Sequence, residues 1–367
     1  MVSAQSLARP GHGGNLTWAA SIAGCSPSEI LDFSASINPW GPPQSALEAI
    51  QTHLGDLRAY PDPQYRVLRN ALSQIHSPLE ADWILPGNGA AELLTLAGWD
   101  LAQQETTYLL TPAFGDYRRS LSAFQASVIE WPLLEQQGQW SFPALGLDKR
   151  GGLLLNNPHN PTGRLFEQEM IEPYLEQFDL VVVDEAFMDF LRPQQQQSLV
   201  ARVPKYKNLV VLRSLTKFYS IPGLRLGYAI AHPDRLHRWQ QWRDPWPVNV
   251  LAAAVGTAVL QDHAFQQQTW DWLSHARSQL VNGLTSLPGL RPYPGAANFL
   301  LVYSQQPVPE LQMALLQHDR ILIRDCLSFG ELGQHYFRVA IRTEAENQRL
   351  LDAMTNILPK NAKSPCL

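Results

Sequence analysis

Lys217 has the most chemistry open to it. It stands in Ser214-Leu-Thr-Lys-Phe-Tyr-Ser-Ile-Pro-Gly-Leu-Arg225, just past the end of an apolar run. In an open α/β sheet, ligands gather outside such carboxyl ends. A lysine held among apolar neighbours and near an arginine has its amine pKa lowered, which makes it a nucleophile toward carbonyl carbons. The chain has 28 basic residues but only six lysines, at 149, 205, 207, 217, 360 and 363. The other five read as solvated. Lys149 lies between Asp148 and Arg150, Lys205 and Lys207 flank Tyr206 in a turn, and Lys360 and Lys363 belong to a polar tail.

Asp184 ends the apolar run Leu180–Asp184 (LVVVD), one strand–helix unit before the lysine. A carboxylate at the end of a buried strand is costly without a cationic partner. A protonated pyridine nitrogen is one such partner, and the carboxylate in turn keeps it protonated. That is the electron sink of pyridoxal-phosphate chemistry. The loop Asn156-Asn-Pro-His-Asn-Pro-Thr-Gly163 follows another strand end. On its own it reads as a turn, but the Asn160 amide suits a donor to the ring's phenolate oxygen.

Such a cofactor also needs a phosphate site. Pro86-Gly-Asn-Gly-Ala-Ala-Glu-Leu-Leu94 reads as a glycine-bearing turn entering a helix. Backbone N–H groups near Gly89, Ala90 and Ala91, with the helix dipole, form an anion site. Ser214 and Arg225 add a hydroxyl and a guanidinium to the same phosphate. Phe114, after Thr111-Pro-Ala, lies beyond a further strand and suits stacking on an aromatic ring.

The elements that carry these residues follow from hydrophobic pattern. Thr107–Thr111, Gly152–Asn156, Leu180–Asp184, Leu209–Arg213 and Gly227–Ala231 are short, nearly continuous apolar runs bounded by polar or turn residues. That pattern predicts strands buried on both faces. Helical stretches between them include Glu167–Gln177 and Leu199–Val203. The fold class is therefore α/β, a mostly parallel mixed sheet flanked by helices. After about residue 245 the pattern changes. A long helical region from Asn249 to Ser286, interrupted at Asp262–His263, precedes strands at Asn298–Tyr303, Ile321–Asp325 and Tyr336–Ile341. With helices at Pro309–His318 and Glu344–Leu358, this reads as a smaller α+β domain. Thr343 with Glu344 and Glu346 marks the start of the last helix. The run Gln194–Gln197 reads as an exposed loop.

Composition narrows the class. With 367 residues, 45% apolar and 17% charged, the chain is an ordinary globular protein. A net charge of -5 and a pI near 6.1, with arginines dispersed, argue against nucleic-acid binding. Cys25, Cys326 and Cys366 form neither a disulfide framework nor a metal pattern. No apolar signal segment precedes Gly14, and no run approaches a membrane span. A cytoplasmic protein is expected, with a small-molecule substrate.

Together these residues resemble the fold-type I pyridoxal-phosphate enzymes, the aspartate-aminotransferase superfamily. Asn160 in NPHNPTG, Asp184 in VVVDEAF, and Ser214, Lys217 and Arg225 in SLTKFYSIPGLRLGY stand in that family's order and spacing. The resemblance runs from about His12 to Leu358. It implies a covalent bond between Lys217 and pyridoxal 5'-phosphate, and a homodimer with active sites at the interface. Tyr60, in YPDPQY, matches the position that reaches the cofactor phosphate held by the partner subunit. The implied division is an N-terminal segment 1–40 covering the active site, a large cofactor domain 41–261, a small domain 262–359 and a tail 360–367.

Two branches lie nearest, the histidinol-phosphate aminotransferases and the L-threonine-O-3-phosphate decarboxylases of cobalamin biosynthesis. His12-Gly-Gly-Asn15 and LDFSASINPWGPP (31–43) are similar to the decarboxylase signature HGGN…LDFSANINPLGPP. ILIRDC (321–326), YFRVAIR (336–342) and Phe187 after DEA fit the same branch. The resemblance implies a substrate carrying a carboxylate and a phosphate, with Arg338 on the carboxylate and Arg324 on the phosphate. His12, Gly13 and Ser36 close over it, and Asn160 also contacts it. Ser36 departs from the branch, which has Asn there; the shorter side chain puts direct contact with substrate in doubt.

Overall fold

The computed structural model describes residues 9–136, 138–143 and 150–358. Lys149, Lys360, Lys363, Cys366 and the tail lie outside the described residues.

The core is a seven-stranded sheet. Its strands are β1 (Ile84–Asn88), β2 (Thr107–Thr111), β3 (Val128–Pro132), β4 (Gly152–Asn156), β5 (Leu180–Asp184), β6 (Leu209–Ser214) and β7 (Leu226–Ala231). They lie in the order β1-β7-β6-β5-β4-β2-β3. Only β7 runs antiparallel to its neighbours; the other pairs are parallel. The continuous apolar runs are explained by the two faces. Leu153, Leu155, Val181, Val183 and Val211 pack into one core, while Leu154, Leu180, Val182, Val210 and Leu212 pack into another. Successive side chains alternate between faces, so a strand covered on both sides must be apolar throughout.

This topology gathers the site. β4, β5 and β6 end on one edge at Asn156, Asp184 and Ser214, and Asn156 stands in register with Asp184. Because β7 returns antiparallel between β1 and β6, Leu226 pairs with Asn88 and Gly227 with Ser214. The end of β1 therefore reaches the same edge as the end of β6.

A second sheet comprises β8 (Leu290–Pro292), β9 (Phe299–Ser304), β10 (Arg324–Asp325) and β11 (Tyr336–Ala340). Its order is β8-β9-β11-β10, antiparallel throughout. The helices His263–Ser286, Val308–Asp319 and Glu344–Ile357 accompany it. The last is opened by a capping box: the Thr343 hydroxyl accepts from the Glu346 N–H, and the Glu346 carboxylate accepts from the Thr343 N–H.

Some elements differ from the sequence expectation. Ile321–Asp325 is not one strand. Ile321–Leu322 pairs in parallel with Leu31–Asp32 of the N-terminal segment, and only Arg324–Asp325 joins the small sheet. Leu199–Val203 contains a single 3-10 turn, Val200–Arg202. The helix expected from Glu167 begins at Gln168 and carries Pro173 inside it. The interruption at Asp262 is a helix boundary, where the Asp262 carboxylate accepts from the Phe265 N–H at 3.0 Å. The glutamine run begins inside the 3-10 turn Pro193–Gln195 and is exposed to half-buried.

The N-terminal segment bonds both to the second sheet and to the helix that follows β6. Its helix Leu16–Ala23 is capped by the side chain of Asn15. Farther on, the Phe33 carbonyl accepts from the Ala340 N–H of β11 at 2.8 Å. Asn38 donates its N–H to the carbonyl of Lys217 at 3.0 Å.

Candidate active site

Lys217 sits on the one-turn helix Leu215–Phe218 that follows β6 directly. Its Nζ donates to Ser214 Oγ at 3.3 Å and lies 5.2 Å from the centre of the Phe187 ring. Burial pulls the amine below its ordinary pKa. Arg225 and Arg338 push the same way, and the Asp184 charge opposes them. Asp184, at the end of β5, is pushed up by burial and held back by Lys217 and two hydrogen bonds. Tyr117 donates its hydroxyl to Asp184 Oδ2 at 2.8 Å, and the Ala186 N–H donates to Oδ1 at 2.9 Å.

Beside the lysine is a cavity of about 160 Å³, lined by Ala90, Ala91, Ser214, Thr216, Lys217 and Arg225. Ala90 and Ala91 belong to the first turn of the helix Gly89–Leu101, whose N–H groups and dipole attract an anion. Gly89 has φ +76°, and a Cβ there would stand 2.5 Å from Arg225 Nη2. Glycine thus meets both the backbone conformation and the approach of the guanidinium. This cup, with a hydroxyl, a guanidinium and an N-terminal helical turn, fits a phosphate.

A neighbouring cavity of about 260 Å³ shares Phe114, Asp184 and Lys217 with the first. It extends toward the second sheet, where Arg324 and Arg338 line it. The two arginines are partners across the antiparallel strands β10 and β11, and both are buried. Arg338 Nη1 donates to Asn160 Oδ1 at 2.6 Å, and Nη2 to the Ser34 carbonyl at 3.3 Å. Both partners are neutral, and among the described residues no carboxylate pairs with Arg338. Burial brings this guanidinium down to about 10, a shift that nearby Arg324 reinforces. Because Asn160 accepts through its oxygen, its amide N–H groups are left for a ligand. Arg324 donates to the carbonyl of Gly11 and to Ser328 Oγ, each at 2.5 Å, and to the Pro10 carbonyl at 3.3 Å.

The N-terminal segment closes this cavity. His12, Gly13 and Ser36 all line it. The His12 ring meets Phe114 edge-on at 5.6 Å. A side chain at Gly13 would overlap the Ser34 carbonyl, so only glycine lets the segment pass this close. The Gly14 N–H donates to Ser34 Oγ at 2.7 Å, and that hydroxyl donates to Asp32 at 2.6 Å. Ser36 Oγ is buried and has no hydrogen-bond partner among the described residues. Asn156 Oδ1, also in the cavity wall, is likewise unpartnered. Buried polar atoms of this kind ask for a ligand or water.

The residues singled out from sequence thus converge, with one exception. Tyr60 lines neither cavity; it is 79% exposed and stacks on Trp246 at 4.4 Å. Tyr117, Asn156, Ser328 and Asn38 were not singled out. Tyr117 had one available signal, since it follows Phe114 by three residues in the helix Gly115–Ser122 and so shares its face.

The family pattern for aminotransferase class I and II matches residues 28–354. Threonine-phosphate decarboxylase of Salmonella typhimurium is 39% identical over 95% of this chain and 96% of its own length. The structure is similar to that of L-threonine-O-3-phosphate decarboxylase from Porphyromonas gingivalis, with TM-score 0.76 and 26% identity over 89% of this chain and 98% of that one. It also shares its fold with histidinol-phosphate aminotransferase from Sinorhizobium meliloti in complex with pyridoxal-5'-phosphate, with TM-score 0.81 and 19% identity over 97% of this chain and 99% of that one. With a lysine, a buried carboxylate and an anion-binding cup at one sheet edge, the chain belongs to the aminotransferase class I and II family of pyridoxal-phosphate enzymes.

Proposed function

We propose that this protein decarboxylates L-threonine O-3-phosphate to (R)-1-amino-2-propanol O-2-phosphate, a step of cobalamin biosynthesis. The observation that carries the reading is the opposed pair Arg324 and Arg338. Two buried guanidinium groups stand opposite each other across a ladder, and among the described residues only Arg324 of the two has a carboxylate at ion-pair distance, Asp325 at 3.7 Å. A ligand that brings negative charge offsets the repulsion that remains. A substrate with a carboxylate and a phosphate brings two anions. The 39% identity to a threonine-phosphate decarboxylase, which spans almost both chains, supports the same substrate.

The cofactor supplies an electron sink for a bond broken at the substrate's α-carbon. The protein's part is placement. Ser214, Arg225 and the first turn of the helix Gly89–Leu101 would hold the cofactor phosphate. Phe114 would pack on the ring, the Asn160 amide would donate toward its phenolate, and Asp184 would pair with its nitrogen. Burial lowers the Lys217 pKa, which raises the share of free amine able to bond a carbonyl carbon. Arg338 takes the substrate carboxylate and Arg324 its phosphate, and these two anchors set which α-bond is aligned for cleavage. His12, Gly13 and Ser36 cover the site and limit water. Ser36, shorter than the family's Asn, reaches the substrate through a water.

The division into an N-terminal cover 1–40, a large domain 41–261 and a small domain 262–359 belongs to the same reading, as does a homodimer. Tyr60, far from the cavities of its own chain, then serves the partner subunit's site. No helix among the described residues is long and apolar enough to cross a membrane. The reading places the enzyme in the cytoplasm.

Two assays decide. The purified protein with cofactor and threonine phosphate is expected to release carbon dioxide with no amino acceptor present. Glutamate formation from histidinol phosphate and 2-oxoglutarate, without carbon dioxide release from threonine phosphate, would establish an aminotransferase instead. A Lys217→Ala variant is expected to lose the visible absorbance band of the bound cofactor.

A further inference from the structure

The Asp184 carboxylate is held before any ligand reaches it. Oδ1 accepts from the Ala186 N–H and Oδ2 from the Tyr117 hydroxyl. Tyr117 is 1% exposed, lines the larger cavity and meets Phe114 edge-on at 5.6 Å and 86°. One helical turn therefore brings together a ring wall and a hydroxyl aimed at the carboxylate. The charged groups that act on Asp184 are Lys217, which favours the carboxylate, and Asp116, which disfavours it.

We propose that Tyr117 is a positioning residue for Asp184, fixing its carboxylate plane and keeping it ionised so that it can hold a protonated ring nitrogen. The physical reason is burial. A carboxylate taken out of water favours its neutral form unless donors compensate. The Ala186 N–H is one donor, and Tyr117 is the only side chain among the described residues that donates to Asp184. Burial and the neighbouring Asp184 charge push the phenol well above its ordinary pKa, so it remains a donor at all working pH values. Without this hydroxyl the carboxylate keeps only the Ala186 N–H, so it turns and takes up a proton more easily. Turning misaligns the charge with the ring nitrogen, and protonation removes it.

The inference rests on the cofactor assignment above, and the test separates the two. The holoenzyme is prepared with pyridoxal phosphate labelled with ¹⁵N in the ring, and its ¹⁵N resonance reports whether that nitrogen is protonated. Wild type is expected to give the protonated position. If it gives the unprotonated one, the assigned role of Asp184 is wrong whatever Tyr117 does. Tyr117→Phe keeps the ring and removes one oxygen. Its resonance is expected to move toward the unprotonated position, and cofactor affinity, titrated into the apoprotein, is expected to weaken about tenfold or more. Phe114→Leu is the comparison: it is expected to weaken binding while leaving the nitrogen protonated. A Tyr117→Phe enzyme with the wild-type resonance and affinity overturns the inference. Should that variant not fold, 3-fluorotyrosine and 3,5-difluorotyrosine at position 117 strengthen the donor while keeping shape. A graded shift of the ¹⁵N resonance supports the role, and no response overturns it.

Discussion

The backbone N–H of Asn38 donates to the carbonyl of Lys217 at 3.0 Å, and the Asn38 side chain donates to the carbonyl of Phe218, the next residue, at 2.9 Å. A third bond runs from its Nδ2 to Thr269 Oγ1 at 2.9 Å. The N-terminal segment is thus bonded to the helix that carries the lysine. Asn38→Ala leaves the Phe218 carbonyl and the buried Thr269 hydroxyl without this donor. We expect it to lower stability by about 2–3 kcal/mol, read by denaturant unfolding of the holoprotein, while the cofactor band persists. An unchanged midpoint would show that water replaces the amide.

Arg338 and Arg324 should fail differently from a surface arginine. Truncating one member of a buried, ligand-paired charge costs about 2–5 kcal/mol. Arg338→Ala is therefore expected to lower kcat/KM for threonine phosphate by that amount, and Arg338→Lys to recover only part, because one ammonium lacks the two-pronged geometry. Steady-state kinetics of both variants checks this; Arg338→Lys at wild-type efficiency would remove Arg338 from the substrate site.

Gly89 limits the phosphate cup. Gly89→Ala forces a left-handed conformation that costs about 1–2 kcal/mol, and its methyl group displaces Arg225. The expected result is a folded protein with weaker affinity for pyridoxal phosphate, measured by titrating the apoprotein. Undiminished affinity would mean that Arg225 need not approach the helix end.

His159 is fully buried, and burial depresses its pKa from 6.5 to about 3. The unfolded chain therefore binds a proton between those values that the folded chain does not. Its contribution is complete above about pH 6.5 and is lost as pH falls toward 3. Relative to a His159→Asn variant, wild type should lose about 2 kcal/mol of stability between pH 7 and pH 5. Parallel unfolding curves at the two pH values would contradict that. Comparing the two proteins cancels Asp184, Glu185 and Asp32, whose raised pKa values act in the opposite sense.

The cofactor end of the site was legible because its parts sit in short local motifs at strand ends. Asp184, Ser214, Lys217 and Asn160 each end or follow an apolar run whose pattern marks a strand, and Arg225 stands just before another. What stayed hidden depends on register and on partners far apart in the chain. The opposition of Arg324 and Arg338 requires knowing that two residues of ILIRD leave the N-terminal pairing and join β11. Tyr117 lies 67 residues from the carboxylate it serves, and Asn38 lies 231 residues from Thr269. β1 was read as a turn because Pro86 and Gly87 fall inside it. The strand tolerates this Pro because its hydrogen-bonded neighbour, β7, lies on one side only.

For the proposed substrate, Arg324 and Arg338 also form a ruler. Their separation is set by the backbone hydrogen bonds of a two-residue ladder, not by rotamers alone. A gauge of that kind sorts molecules by length as well as by charge. A diacid one methylene too long must buckle, and one too short leaves a guanidinium facing its twin. Under the proposed function, selectivity among small phosphorylated amino acids follows from strand register, and a shift of one residue in β10 would recalibrate it.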